Sequence, residues 1–343
     1  MISRRNFITL TLLAASSQGF SLGVSPEQGN APVGVLFVVP PTRQKVLDGS
    51  ILEGVFMDTG MGRPESGMFG NVRKYSDGSP RFHEGIDIAP IAPWSRRRQP
   101  TDLVCAVAAG RVVHINRKGS LYGNYVVLTH PVPGVGEVYS LYAHLRRIEP
   151  TLHVGDRAVA GMVLGIMGNT PDIPVARAHC HFELGLMMNR FYPLIDDEHG
   201  IWNGANLYGI NPCKAFAERS FDFLSYLKNH ARAFSVVIPR PRHRPEYFDR
   251  YPCFWYGNVF DATTPTVIDF SFEGIPLRGE NYYVPPGEST PQAPYVLSSN
   301  AVEMAKGRAF VRRGKLTSRG KDLLDNLYVS PTDLRGKSLG EVG

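Results

Sequence analysis

Within ARAHCHFELG (Ala176–Gly185), His179 and His181 stand two residues apart in a run that reads as a strand. On a strand, residues i and i+2 face the same way with Cα atoms ~7 Å apart, so both imidazoles can converge on one point while Cys180 faces the opposite side. RFHEGIDIAP (Arg81–Pro90) adds His83 and Asp87, and SLYAHL adds His144. Four histidines and one carboxylate are the inventory of a nitrogen/oxygen zinc site with groups left over for proton transfer. Any one of these histidines alone is more often a satisfied structural residue. The set, in this order, points to a metal.

Spacing constrains the set further. On a straight strand His83 and Asp87 would stand about 13 Å apart, at the limit of two side chains meeting one ion. Gly85 lies between them, where a bend is cheapest. The rival reading takes His83-Glu84 as the start of a helical H-E-x-x-H metal motif, which needs both metal residues on one helical face. Gly85, Ile86, Ile88 and Pro90 oppose a helix, and the fifth residue is Asp87. Glu84 is therefore expected to be a solvent-facing bystander.

The elements that must position these residues are strands. From Gly67 to about Phe216, short apolar or alternating runs (VCAVAAGRVVHINR, NYVVLTH, VYSLYAHL, MVLGIMG, AHCHFELGLM) are punctuated by Gly, Pro and Asn. That pattern predicts an all-β domain of antiparallel strands with no helix interrupting it. Before it, Val24 to Ser66 is a mixed segment with one strand-like run, VGVLFVVPP. After it, a helix is expected from Lys214 to about His230, and VVIPRPRHRPEYF reads as a proline-rich, basic linker or extended arm. The remainder predicts a small β module closing on a short helix capped by Thr317 or Ser318. The organisation is thus 1–23, 24–66, 67–216 and a C-terminal α+β extension, 217–343. No internal repeat is visible.

The N-terminus, MISRRNFITLTLLAASSQG, has paired Arg4 and Arg5 framed by Ser3 and Phe7, then a short apolar run and small residues. This is the order of a secretory signal, too short to span a bilayer that needs ~20 apolar residues. Ser-Arg-Arg-x-Phe resembles the twin-arginine export signal, an address rather than an anchor. Cleavage is expected between Ala15 and Gly23, leaving no transmembrane span and a protein placed in the periplasm or cell envelope. Of the four cysteines none forms a C-x-x-C pair, which leaves a structural zinc knuckle unsupported. Cys213 with Cys253 is the one pair left for a disulfide, because Cys105 and Cys180 lie in strand-like core runs. The formal charge of +6 suits an anionic partner; nucleic acid, anionic lipid and cell-wall polymer all fit it equally.

The ordered set H-x-x-x-D, Y-A-H-L and H-x-H resembles the lysostaphin/LytM-type zinc endopeptidases, which hydrolyse peptide bonds in bacterial peptidoglycan. The resemblance runs from FGNVRKYSDGSPRFHEGIDIAP through YGNYVVLTH and LYAHL to AHCHFELG and fades near INPCKAF, somewhat under half the chain. It implies an antiparallel β-sheet/sandwich peptidase domain over 67–216, one zinc held by His83, Asp87 and His181, and His144 and His179 as the catalytic histidines. Three protein ligands leave a position open for a water that zinc activates, while the two histidines take its proton and stabilise the oxyanion; which of them is the base stays open. His114, His130 and His153 match no ligand position and are expected to be structural or exposed. Tyr142 and Asn124 lie beside the site and are expected to pack. The resemblance further implies peptidoglycan as the partner, with no nucleic acid. Three loops depart from the pattern: IAPWSRRRQPTDL, TPDIPVARA and IDDEHGIWNGANLYG. An exported peptidoglycan endopeptidase leads. The alternatives are a non-catalytic activator of another wall hydrolase, whose kind loses metal ligands, and a zinc peptidase acting on a non-wall peptide.

Overall fold

In the computed structural model, Tyr125–Val132, Gly136–Ala143 and Cys180–Met187 alternate residue by residue between two buried faces. Val126, Leu128, Val138, Tyr142, Cys180, Phe182 and Leu184 enter the main core, whereas Tyr125, Val127, Tyr139, Leu141, Ala143 and Met187 form a second, smaller apolar cluster. A side-chain period of two produces this division, and it sends His181 to the second face with Cys180 on the first. The structure describes residues 32–45, 53–59, 62–74, 80–91, 100–117, 122–188, 207–241, 243–257, 259–289, 292–299 and 310–328. The export signal, the IAPWSRRRQPTDL loop over 92–99 and most of the IDDEHGIWNGANLYG loop lie outside them. Among the described residues no helix is long and apolar enough to cross a membrane.

The protein is mainly β with antiparallel sheets, as expected. The central seven-stranded sheet runs Arg157–Ala158, Gly110–Asn116, Tyr125–Val132, Gly136–Ala143, Cys180–Met187, Leu207–Ile210, with Ile86–Ile88 also paired to Cys180–Met187. A three-stranded sheet (Leu103–Cys105, Val163–Met167, Leu145–Ile148) packs beside it. The N-terminal segment is woven in: Val35–Phe37 pairs with Ser220–Asp222, and Met57 N–H donates to Asp87 O (2.8 Å).

Two expectations fail here. The single helix from Lys214 to His230 is two helices, Pro212–Glu218 and Phe223–Asn229, with the strand Ser220–Asp222 between them. Arg219, at φ 55°, stops the first helix, and Asp222 caps the second through Ser225 N–H. The intervening strand exists because Val35–Phe37 offers it a partner, which no local pattern records. The expected linker begins as a fully paired strand, Arg232–Ile238, between Thr266–Ser271 and Tyr295–Ser299, and continues into a short helix, Glu246–Arg250, with Tyr247 and Phe248 buried. Pro276–Asn281 completes this four-stranded sheet. The α+β character of the extension holds, and Thr317 Oγ1 accepts from Gly320 N–H at the start of the Ser318–Tyr328 helix. The Cys213–Cys253 disulfide is not formed, and none of the four cysteines is in a disulfide.

The C-terminal part packs onto the central sheet. Tyr251 Oη donates to Glu137 O (2.7 Å) and accepts from Met187 N–H (3.2 Å), tying two adjacent sheet strands to the 246–254 segment. Tyr251→Phe leaves the buried Met187 amide unpaired, and is expected to lower unfolding free energy by about 1–3 kcal/mol. Urea denaturation checks this; a change under about 0.5 kcal/mol, the scale of an inconsequential surface change, would refute the bridge.

His130 is structural, as expected, and fully buried. Its Nδ1–H donates to Ala109 O (2.9 Å) and its Nε2 stands 2.7 Å from Ser140 Oγ. Burial pushes its pKa down to about 4, although the Ala109 contact opposes this. The folded value lies below the unfolded one, so the unfolded chain takes up the proton first as pH falls. Stability is complete above about pH 6.5 and is lost towards pH 4, by about 3 kcal/mol for this group. In a pH series of denaturation curves, His130→Gln should lose less between pH 6.5 and 4 than the parent; parallel curves would contradict this.

Candidate metal centre

Register brings the predicted residues together. His181 lies directly across from Asp87 on one side and from Ala143 on the other, and His144 follows Ala143. The chain bends at Gly85, as expected, but for a reason of contact: a Cβ there would stand 2.4 Å from Phe182 O and 3.0 Å from His181 Cε1. His83, Asp87 and His181 converge, all buried. His83 Nε2 is 3.1 Å from His181 Nδ1 and 3.3 Å from Asp87 Oδ1, and His181 Nδ1 is 2.8 Å from the same oxygen.

The outward atoms of these side chains are already committed. Met68 O can only accept, so His83 Nδ1 (2.9 Å away) bears the proton and Nε2 presents its lone pair. Arg73 Nη2 also stands 2.9 Å from that Nδ1, but is engaged by Ser66 O and Asp87 Oδ2. Thr59 Oγ1 donates to Asp87 Oδ2 as well, which leaves Oδ1 facing the cluster. His181 Nε2–H donates to Glu183 Oε1 (2.8 Å), leaving Nδ1 inward.

His144 and His179 flank the cluster, ring centroids 4.7 Å apart, with His179 Nε2 3.5 Å from Asp87 Oδ1. Both donate Nδ1–H to carbonyls of one loop: His144 to Thr170 O and His179 to Arg177 O, each at 2.7 Å. His144 sits in the left-handed region (φ 59°), where the chain leaves Gly136–Ala143 for Leu145–Ile148. Tyr122 O accepts its N–H, and Asn124 holds the next residue through Leu145 N and O. Gly123, at φ 62°, permits this turn, since a Cβ there would meet Thr170 O at 2.5 Å.

Burial would raise Asp87, but His83, Arg73 and His179 around it hold it well below the usual carboxylate range. Burial lowers His83 and His179, and lowers His144 strongly with help from the adjacent His179 and His181. His144 and His179 are therefore neutral near pH 7, with Nε2 able to accept a proton. His181 differs: burial lowers it, but the hydrogen bonds to Asp87 and Glu183 win and raise it to about 9. A cation at His181 Nδ1 and a second proton on that ring are alternatives.

The donor set fits zinc. Two ring lone pairs and a carboxylate oxygen converge at spacings close to the ~3.3 Å that separates donors ~2.0–2.1 Å from a tetrahedral ion. Without a cation, or a proton on His181, those lone pairs would repel.

Other expectations divide. Tyr142 packs, its hydroxyl accepting from Val107 N–H, and Asn124 is structural. His114 bonds Tyr125 Oη (2.7 Å), and the His153 side chain is 75% exposed. Glu84 is not solvent-facing: it is buried, and the backbone of Gly209 packs closely against its carbonyl oxygen. Four side-chain contributors went unpredicted: Thr59, Arg73, Tyr122 and Glu183. Glu183 alone had a signal, since it continues the alternation of His179 and His181 onto the same face.

Residues 81–193, which include all five candidate residues, match the model of peptidase family M23. No curated protein matches the sequence. Among solved structures, a zinc-containing peptidase from Vibrio cholerae is 26% identical over 33% of this chain and 30% of its own, less than a third of its length (TM-score 0.26). A mutant catalytic domain of the prophage-encoded M23 protein EnpA from Enterococcus faecalis is 25% identical over 38% of this chain and 79% of its own (TM-score 0.25). The lysostaphin catalytic domain from Staphylococcus simulans is 22% identical over 35% and 76% (TM-score 0.25). These likenesses are too partial to bear on the site.

Proposed function

We propose that this chain is an exported zinc-dependent endopeptidase that hydrolyses peptide bonds in bacterial peptidoglycan, in cross-links or stem peptides. The observation that carries the reading is the convergence of His83 Nε2, Asp87 Oδ1 and His181 Nδ1 beside two neutral histidines whose Nδ1–H groups are spent on backbone carbonyls. His83, Asp87 and His181 would hold the ion; bound there, zinc supplies Lewis acidity towards a water and the scissile carbonyl. His144 and His179 do the proton work: either can accept a proton at Nε2, donate that Nε2–H towards the oxyanion while it is held, and return it to the leaving amine. Arg73 and Thr59 hold Asp87 from behind, keeping its Oδ1 aimed inward.

The intact donor set supports a hydrolase over a non-catalytic activator. Export rests on the twin-arginine-like N-terminus, and peptidoglycan on the resemblance and on the family match. Purified protein should carry about one zinc per chain and release muropeptides from isolated sacculi, read by mass spectrometry, which also identifies the bond cut. Full release by the zinc-free double variant His83→Ala/Asp87→Ala would sink the mechanism. Release only with an added amidase would instead establish an activator.

A further inference from the structure

Glu183 is a carboxylate buried to 1% exposure on the site face of the sheet, bonded to His181 and to two tyrosine hydroxyls. It accepts three hydrogen bonds: His181 Nε2–H at 2.8 Å and Tyr122 Oη–H at 2.9 Å on Oε1, and Tyr139 Oη–H at 2.7 Å on Oε2. A buried charge is costly unless fully hydrogen-bonded, and here two tyrosines hold the carboxylate in one orientation. Tyr139 and Tyr122 themselves sit in the second apolar cluster, so the arrangement is rigid from below.

We infer that Glu183 is a positioning residue for the metal: it fixes His181 as the Nε2–H tautomer, so that Nδ1 is the ligand atom, and its negative charge strengthens the hold of that nitrogen on a divalent cation. This rests on the zinc reading above. The charge is needed because Asp87, the one anionic ligand, is already shared with Arg73 through Oδ2. The hydrogen-bonded carboxylate makes the imidazole a better donor, the usual role of a carboxylate behind a ligating histidine. Tyr122 extends the device to the catalytic side. Its hydroxyl orients Glu183, and its carbonyl accepts the N–H of His144 (2.9 Å), so one residue sets both a ligand and a flanking histidine.

Two variants separate charge from orientation. Glu183→Gln keeps size and an acceptor for His181 Nε2–H but removes the charge; Glu183→Leu removes both. Competition with a chromophoric chelator should show zinc Kd raised about tenfold in the first and about a hundredfold in the second. Nitrogen NMR of the zinc-loaded parent should find His181 protonated at Nε2. Melting curves establish folding, and if Glu183→Leu does not fold, Glu183→Gln and the NMR tautomer carry the test. Folded variants with Kd within twofold of the parent, or an unprotonated Nε2, overturn the inference. A parent that binds no zinc overturns the metal reading itself, a distinguishable result.

Discussion

His181→Ala is expected to reduce bound zinc from about one per chain to below a tenth, and peptide hydrolysis to background. Two donors then remain, His83 Nε2 and Asp87 Oδ1, while the flanking histidines spend Nδ1 on loop carbonyls. The same change removes the group that Asp87 and Glu183 share, and breaking a buried, charged pair by deleting one partner typically costs about 3–5 kcal/mol. Metal analysis must therefore be paired with circular dichroism and a melting curve. A folded His181→Ala protein that retains stoichiometric zinc would remove His181 from the ligand set.

The second large effect is at His144, where metal and turnover should part company. His144→Ala is expected to lower kcat by about 10²–10⁴, the range for losing a proton-transfer group, with zinc content unchanged. The residue is not one of the three side chains whose donor atoms converge, so binding of the ion should survive. Its left-handed backbone offers a control. A non-glycine residue there costs roughly 1–2 kcal/mol, so His144→Gly should be no less stable than His144→Ala and equally inactive. Substantial activity in both, at full zinc occupancy, would transfer the proton work to His179 alone.

How much of this was legible before folding depended on the range of each interaction. The strand alternation and the ordered H-x-x-x-D, Y-A-H-L, H-x-H set made His83, Asp87, His144, His179 and His181 visible, and Gly85 marked the bend. Glu183 lay in plain view one step along the same face. Arg73 did not: its guanidinium reaches Asp87 through the hairpin of Val72–Lys74 with Pro80–Phe82, and nothing in the residue type marks which carboxylate the turn delivers it to. The misread helix over Lys214–His230 failed for a longer-range reason, its middle captured by a strand near the N-terminus. The prolines at 239, 241 and 245 drew the eye to a linker, whereas the burial of Arg232–Ile238 comes from partners that lie further along the chain.

The loop TPDIPVARA matches no expected pattern, yet Thr170 O and Arg177 O orient both flanking histidines. A backbone carbonyl is present in every residue type. Apart from Thr170 and Arg177, whose side chains tie the loop to Asn124, Leu145 and Asp58, side chains along it can drift without disturbing the tautomers, provided the path of the chain is kept. The part of this site least recognisable by spelling is thus the part with the greatest freedom to be respelled while both imidazoles keep their orientation.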